Sequence, residues 1–183
     1  MKVGKFLLLT IRPENFEVFI MSTVAIPVAN QLRTELGDFS SIICFKAVVV
    51  GAEEALGEKA AAIALLSAGR TRGKQVAEQL GLVGTGLDST QLVPLLQAAL
   101  GKEGTRLCLI DKVEHMGEVI TVYCRETICS AGEPQGSPRK LTFTLGAIQG
   151  VMEQVTGKRL RGKQTESVLR GSSHDVVEFE TLG

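Results

Sequence analysis

Two cysteines that lie close together are the first residues in the sequence whose type and spacing can do chemistry. Cys124 and Cys129 belong to the stretch CRETICSAG, while Cys44 and Cys108 stand apart in apolar runs. A structural zinc site needs four Cys or His ligands, commonly as two close pairs. Because the second pair is missing, we expect no metal here. A redox pair, an attachment point for a ligand and two structural cysteines remain as alternatives.

A disulfide between Cys124 and Cys129 requires their Cα atoms to lie within about 7 Å of each other. An extended chain cannot meet this requirement across such a gap unless it bends sharply. In a straight strand the two side chains would also point to opposite faces. We therefore predict that Cys124 packs against other residues and that, of the two, Cys129 is the better candidate for an accessible thiol near any pocket, with a structural role preferred for both. Covalent pigment attachment at Cys129 is an alternative to a structural role.

Residues suited to acid–base catalysis are sparse. The two histidines, His115 and His174, both fall in predicted turns, and carboxylates such as Glu126 have no distinguishing neighbours. No nucleophile elbow, zinc-protease motif or phosphate-binding loop occurs. We predict no catalytic residue, and the sequence favours binding over catalysis without deciding the question.

Two helical segments carry pairs of glycines four residues apart, Gly69 with Gly73 and Gly146 with Gly150. Each glycine inside a helix costs roughly 1 kcal/mol relative to alanine, so another group should approach the backbone closely. The two glycine stripes can pack against each other, against a second copy of the chain, or against a flat ligand. Helix–helix packing is the simplest interpretation, and a broad apolar slot is the alternative.

The charge balance argues against a general nucleic-acid-binding protein, because 20 basic residues match 20 acidic ones and such proteins carry a basic excess. The densest basic run, GKRLRGK, places Arg159, Arg161 and Lys163 on one face of a strand. That face is either solvated or a clamp for a ligand carboxylate or phosphate. The apolar segment FLLLTI is far shorter than the roughly 20 residues of a membrane span. We predict a cytoplasmic protein.

The order of predicted elements is helices, hairpin, helix, hairpin. Residues 1–21 are predicted to be an N-terminal extension and residues 22–183 a single domain. This order predicts an α+β fold in which helices pack on an antiparallel four-stranded sheet. Glycines and one proline set most of the boundaries, with Pro94 acceptable only near the first turn of its helix and Ser137 as a cap. The predicted helices are 24–36, 42–56, 58–80, 89–100 and 138–156, and the predicted strands are 105–113, 118–126, 161–170 and 175–182.

Residues 41–180 carry motifs that are weak singly but specific in their order. These are the glycine pair of LLSAGRTRGKQVAEQLG, the segment CRETICSAGEPQGSPRKLTFTLGAIQGVMEQVTGKRL, and the closing QTESVLRGSSHDVVEFE. Together they resemble the vinyl-reductase or hydrocarbon-binding domain family, which is distantly related to the small TRAPP trafficking subunits. The alanine-rich helices resemble cyanobacterial members. The resemblance implies helices on a sheet around a pocket for a lipophilic or tetrapyrrole-like molecule, such as a bilin or a porphyrin.

The resemblance also implies which residues contact the ligand. Many members place cysteines near the second half of the domain as a proposed metal or redox site, but this chain has Ser167 and Val177 at the terminal positions. No metal is therefore expected. The members resemble dimers, so a homodimer is predicted, with photosystem assembly proteins and the thylakoid surface as further contacts. The implied ligand-binding residues are Gly69, Gly73, Cys124, Cys129, Phe143, Gly146 and Gly150.

The preferred function is a non-enzymatic binding protein for a lipophilic molecule or tetrapyrrole that acts in photosystem II assembly or regulation. A dimeric interaction scaffold without a ligand is the second hypothesis. An accessory component of a tetrapyrrole vinyl reductase is the third, and it would need electrons from another protein because no nucleotide-binding motif is present.

Overall fold

The computed structural model describes residues 33–182, which form four α-helices and a four-stranded antiparallel sheet. The α+β fold expected from the sequence is confirmed. A single turn of 3-10 helix, Val168–Arg170, precedes the last strand. In chain order the elements are α1 (Ile42–Leu56), α2 (Glu58–Gln79), α3 (Ser89–Leu100), β1 (Leu109–Met116), β2 (Val119–Arg125), α4 (Phe143–Thr156), β3 (Leu160–Glu166) and β4 (Asp175–Thr181).

Two predictions made from the sequence concern the N-terminal residues that precede residue 33, where the described structure begins. The extension over residues 1–21 and most of the helix predicted over 24–36 lie outside the described residues. Residues 33–37 form a turn, in which the N–H of Gly37 donates to the carbonyl of Arg33 over 3.1 Å. The start of the domain at residue 22 stays a prediction.

The sheet has the strand order β1-β2-β4-β3, so β1 and β3 are its edges. Its buried face carries paired apolar residues, because Ile120 lies opposite Phe179 and Val122 lies opposite Val177. This face packs on helices: α3 contacts β1 and α4 contacts β3. Helix α2 then contacts α4, and α1 contacts α2. The helices therefore lie in successive layers above one face of the sheet.

The bounds of the first three helices follow from local chemistry. The hydroxyl of Ser41 accepts the N–H of Ile43 at the start of α1, and the Asp88 carboxylate accepts two backbone N–H groups at the start of α3. Gly57, with φ of 80°, separates α1 from α2. Pro94 departs from expectation, since it is well inside α3. Helix α3 therefore lacks one internal hydrogen bond near its middle.

The predicted start of α4 at Pro138 is wrong, because the helix begins at Phe143. The hydroxyl of Ser137 does not cap a helix but accepts the N–H of Arg139 within a turn. The N–H of Leu141 is taken by the side-chain carbonyl of Gln164 on β3, at 2.9 Å. These residues are held to the sheet and cannot begin a helix.

Two strand limits also differ from expectation. Strand β1 begins at Leu109 rather than 105, because residues 105–108 hydrogen-bond back to the last carbonyls of α3 and Arg106 takes a left-handed φ of 54°. Strand β3 ends at Glu166 rather than 170, because Ser167 caps the 3-10 turn through the N–H of Leu169.

Candidate functional site

The two glycine stripes predicted from the sequence meet each other between α2 and α4. A Cβ atom added to Gly69 or Gly73 would lie within 3.0 Å of the backbone of Phe143 or Ala147. Real Cβ atoms essentially never approach backbone atoms that closely. The two helices are thus in direct backbone contact on this side.

The contact is reciprocal. A Cβ atom on Gly146 would meet the carbonyl of Leu66, and one on Gly150 would meet the carbonyl of Arg70. The structure shows the first of the three interpretations of the glycine stripes, which is packing between two helices of the same chain. The ligand-binding role of these glycines stays a prediction, and in this geometry they would serve it by fixing the distance between α2 and α4.

Cys124 lies on β2 and is completely buried. Its thiol contacts the backbone carbonyl of Asp175 at 3.1 Å. Burial raises the pKa of the Cys124 thiol well above its ordinary value, and it raises that of Cys108 in the same way. Reactive cysteines are those with a low thiol pKa, so both residues have the character of structural cysteines. Cys124 contributes to the core rather than to an exposed site.

Asp175 is a buried carboxylate beside Cys124 and holds the loop that follows β2. It accepts hydrogen bonds from the hydroxyls of Thr127 and Ser130 and from the N–H of Val168, at 2.8 to 3.1 Å. These donors satisfy the charge within the protein, as a buried carboxylate requires. This arrangement fixes the bend between Cys124 and Cys129.

Cys129 lies beside a very small cavity near the start of α4. Its thiol is 3.4 Å from the Thr144 hydroxyl, and only 7% of the residue is exposed. The cavity volume is about 10 Å³, which is close to that of a single water-sized probe. The lining consists of Lys46, Val49, Ile128, Cys129, Arg139, Lys140 and Thr142. The candidate accessible thiol, Cys129, is therefore buried, with Lys46 and Val49 of α1 lining the same cavity.

Helix α1 is held over this cavity by aromatic packing and ion pairs. The rings of Phe45 and Phe143 meet edge to face, with centroids 5.1 Å apart. Arg139 pairs with Glu53 at 2.8 Å and with Glu133 at 3.0 Å. A hydrogen bond from Lys46 is the main cause that holds the pKa of Glu133 below its ordinary value. Through its contact with Phe45, Phe143 lies where α1 packs against α4.

A larger open cleft lies between α2, α4 and β3. Its volume is about 390 Å³, at the low end of the range of roughly 300–1,000 Å³ for small-molecule sites. We call it the arginine cleft. It is lined by Leu66, Ser67, Arg70, Leu145, Gln149, Arg159, Leu160, Arg161, Gly162 and Leu182. Apolar and cationic residues are thus combined at one site.

Glu153 organises one end of the arginine cleft. Its carboxylate accepts two hydrogen bonds from the Arg70 guanidinium, at 2.7 and 2.8 Å, and one from the N–H of Leu160 at 3.1 Å. Burial alone would raise the pKa of Glu153, but the hydrogen bonds from Arg70, Leu160 and Gln149 hold it below its ordinary value. Glu153 therefore joins α2, α4 and β3 and offsets the charge of Arg70.

The other two arginines of the cleft are not compensated in this way. Within residues 33–182, neither Arg159 nor Arg161 forms an ion pair or a side-chain hydrogen bond. The acidic side chains on β4, Glu178 and Glu180, pair with Lys163, although Glu180 lies opposite Arg161 in the strand register. Among the described residues, the lining of the cleft itself contains three arginines and no acidic residue. The cleft therefore has an excess of positive charge.

The free edge of β3 borders the arginine cleft. The N–H of Leu182 donates to the carbonyl of Arg159, which makes these residues a hydrogen-bonded pair between β3 and β4. Because such pairs alternate along an antiparallel ladder, Leu160 and Gly162 direct their backbone groups outward. Leu160 confirms this direction, since its N–H donates to Glu153 and its carbonyl accepts from Gln149. In the described part of the chain, no side chain takes up the corresponding groups of Gly162.

Within residues 33–182, neither histidine is hydrogen-bonded to Asp175. His174 contacts Asp111 of β1 at 3.2 Å and the Ser173 hydroxyl at 2.8 Å, near the surface. A hydrogen bond from Arg125 is the main cause that keeps the pKa of Asp111 below its ordinary value. His115 is exposed on β1. Among residues 33–182 no group of three or more His, Cys, Asp or Glu side chains is placed to hold a metal ion.

The sequence did not identify the arginine cleft as a site. Leu66, Arg70 and Gln149 look like ordinary helix residues, and only the fold brings them to β3. The available signal was the run GKRLRGK, whose alternative interpretation was a clamp for an anion. Gly162, between Arg161 and Lys163 in a strand pattern, was a second signal, because such a glycine marks close approach of another group. A separate observation concerns membranes: none of the helices within residues 33–182 has both the length and the apolar character of a membrane span.

Comparisons with known proteins support the fold. No protein-family model matches the sequence, and no curated protein matches it. The phenol-responsive sensory domain of the transcription activator PoxR, solved with phenol, is similar with a TM-score of 0.61, at 14% identity, over 79% of this chain and 76% of that chain.

A trafficking protein particle complex subunit 3 from Naegleria fowleri, covalently bound to palmitic acid, is also similar. Its TM-score is 0.53 at 12% identity, over 78% of this chain and 93% of that chain. The expected TRAPP-like fold is thus confirmed, whereas membership of the vinyl-reductase family and a cyanobacterial type stay predictions. A shared fold does not fix a function.

Proposed function

We propose that this protein binds a small lipophilic molecule and has no catalytic activity of its own. The observation that carries the proposal is the arginine cleft, an open site of about 390 Å³ that combines leucines with cationic side chains. The two similar structures add support, since one was solved with phenol and the other carries palmitic acid.

The ligand predicted from the family resemblance is a bilin, a porphyrin or another lipophilic molecule. The same resemblance supplies the process, photosystem II assembly or regulation, with photosystem assembly proteins as partners and the thylakoid surface as the place of action. These parts of the proposal rest on the resemblance alone. The accessory role in a vinyl reductase has the same basis and would need an external electron donor.

Native mass spectrometry of the full chain, purified from its own source, tests the proposal. We expect a bound small molecule that is released on unfolding. Ser67→Trp should displace it, because Ser67 is exposed at the cleft and the indole would fill the open space. Gln79→Trp is the matched control, since Gln79 is exposed on the same helix but does not line the cleft.

Retention of the molecule by Ser67→Trp would move the site elsewhere in the fold. A wild-type protein that carries no molecule, and binds none of palmitate, a porphyrin or a bilin when they are added, would contradict a binding function.

The second candidate function is that of a dimeric interaction scaffold, and exposed apolar residues on α1 favour it. Ile43 is 76% exposed, Val48 is 63% exposed, and Ile63 on the adjacent α2 is 63% exposed. Large exposed apolar side chains on two neighbouring helices form a candidate interaction surface. We propose that a second copy of the chain covers this face.

Light scattering during size-exclusion chromatography tests the dimer. The double variant Ile43→Glu and Val48→Glu should be monomeric and should still bind the ligand, because neither residue lines the arginine cleft. Glu54→Gln, an exposed change on the same helix, is the control. A dimer that persists in the double variant would exclude this face as the interface.

A further inference from the structure

We propose that the arginine cleft selects a small apolar molecule that carries a carboxylate, with the carboxylate beside Gly162, Arg159 and Arg161. This inference deepens the proposed binding function and rests on it. It adds the charge of the ligand and the end of the cleft at which that charge is bound.

The charges at the cleft favour an anion. Arg70 is neutralised by Glu153, whose carboxylate lies within 2.8 Å of two guanidinium nitrogens. Arg159 and Arg161 form no ion pair within residues 33–182; Glu180 lies opposite Arg161 in the strand register but pairs with Lys163. Two positive charges next to apolar surface are complementary to a monoanion with an apolar body.

The backbone of β3 offers a further donor at the same place. Gly162 directs its N–H to the free edge of the sheet, where the equivalent group of Leu160 already donates to a carboxylate, that of Glu153. A ligand carboxylate next to Gly162 would repeat this interaction two residues further along the strand. Charge-assisted hydrogen bonds of this kind are shorter and stronger than neutral ones.

The position requires a glycine for a separate reason. A Cβ atom on residue 162 would lie within 3.0 Å of the Phe179 ring and of Leu145. The absence of a side chain lets the edge of β3 approach the helices, so that Gly162 lies in the lining of the cleft itself. The backbone donor and the apolar surface of Leu145 are therefore adjacent.

The remainder of the lining suits the apolar part of such a ligand. Leu66 and Leu145 come from the two helices and Leu182 follows β4. Leu182 is 45% exposed, and a bound apolar chain would shield it from water. Apolar burial contributes affinity, and the anion contacts contribute selectivity.

Isothermal titration of the full chain with three probes tests the inference. Dodecanoate, below its aggregation concentration, carries both features, dodecanol lacks the charge, and inorganic phosphate lacks the apolar part. We expect saturable binding of dodecanoate, binding of dodecanol that is weaker by about tenfold or more, and no saturable binding of phosphate.

A pair of double variants separates local recognition from general charge. Arg159→Gln with Arg161→Gln should weaken dodecanoate binding by about tenfold or more and leave dodecanol binding unchanged. Lys59→Gln with Lys158→Gln removes the same net charge from exposed residues that form no ion pair within residues 33–182 and do not line the cleft. This control should bind dodecanoate like the wild type.

Each other outcome counts against the inference in a distinguishable way. Equal binding of dodecanoate and dodecanol would overturn the selection of an anion and keep the binding function. Saturable phosphate binding as tight as that of dodecanoate, or equal losses in both double variants, would reduce the effect to bulk charge and overturn the inference. Binding of none of the probes, together with no molecule carried from the source, would overturn the proposed function as well.

Discussion

The α2–α4 contact and the arginine cleft lie side by side on the same two helices, and they are opposite in character. At the contact, Gly69, Gly73, Gly146 and Gly150 bring backbone against backbone and leave no room for a ligand. At the cleft, side chains from the same helices and from β3 line an open volume of about 390 Å³. The glycines therefore bring the two helix backbones together, whereas larger side chains line the open cleft beside them.

The contact should be the more sensitive of the two regions. Gly73→Ala places a Cβ atom against backbone atoms of Ala147 and Val151 that cannot move independently of α4. We expect the free energy of unfolding to fall by about 3 kcal/mol or more, measured by urea denaturation.

Gly51→Ala is the matched control for that change. Gly51 lies within α1, and a Cβ atom added there meets nothing within 4 Å. The substitution should raise the free energy of unfolding by about 0.5 to 1 kcal/mol. A Gly73→Ala variant as stable as wild type would mean that α2 and α4 are not in backbone contact.

Glu153 lies at the border between the two regions, and its removal should have the next largest effect. Glu153→Gln keeps the shape of the side chain but loses the charge that holds Arg70. We expect the free energy of unfolding to fall by about 2 kcal/mol. Glu78→Gln, an exposed change on α2, should alter it by no more than about 0.5 kcal/mol. Equal effects of the two changes would show that Glu153 does not join the elements.

The contribution of Glu153 should also depend on pH. Its pKa is lower in the folded protein than in the unfolded chain, so its stabilising effect is present above the unfolded value of about 4.3 and is lost as the pH falls. The difference in unfolding free energy between wild type and Glu153→Gln should therefore shrink between neutral pH and about pH 3. A difference that grows on acidification would reverse the sign of the interaction.

The smallest effect on stability is expected within the cleft. Arg159→Gln with Arg161→Gln removes no ion pair formed within residues 33–182, so the free energy of unfolding should change by no more than about 0.5 kcal/mol. Arg70→Gln, which breaks the pair with Glu153, should cost clearly more. A large loss in the double variant would assign these two arginines a structural role and weaken the contrast between contact and cleft.

The sequence predicted those parts of the fold that local chemistry determines. Helices α1 to α3 end close to the predicted residues because Gly57, Gly81 and Gly101 follow them. The start of α4 was wrong because Ser137 and Pro138 form a good helix cap in isolation. In the folded chain the N–H of Leu141 donates instead to Gln164 on β3, which comes later in the chain, and Arg139 pairs with Glu53 and Glu133.

The candidate site was less predictable for the same reason. The glycine stripes were visible, but what they face depends on which helices become neighbours. The basic run was visible too, yet its partners Leu66 and Leu145 come from separate helices. Cys129 was the better candidate for an accessible thiol because nothing in its own segment shows that α1 lines the same cavity.

The free edge of β3 has one more consequence, which concerns aggregation. An edge strand with open backbone groups is a template for pairing with another chain, and charged side chains such as lysine suppress that pairing. Strand β3 carries Arg161 and Lys163 on its exposed face, while Glu153 and Gln149 occupy the backbone groups of Leu160. Arg161, which is proposed to hold a ligand, would therefore also help to keep two copies of the chain from joining edge to edge.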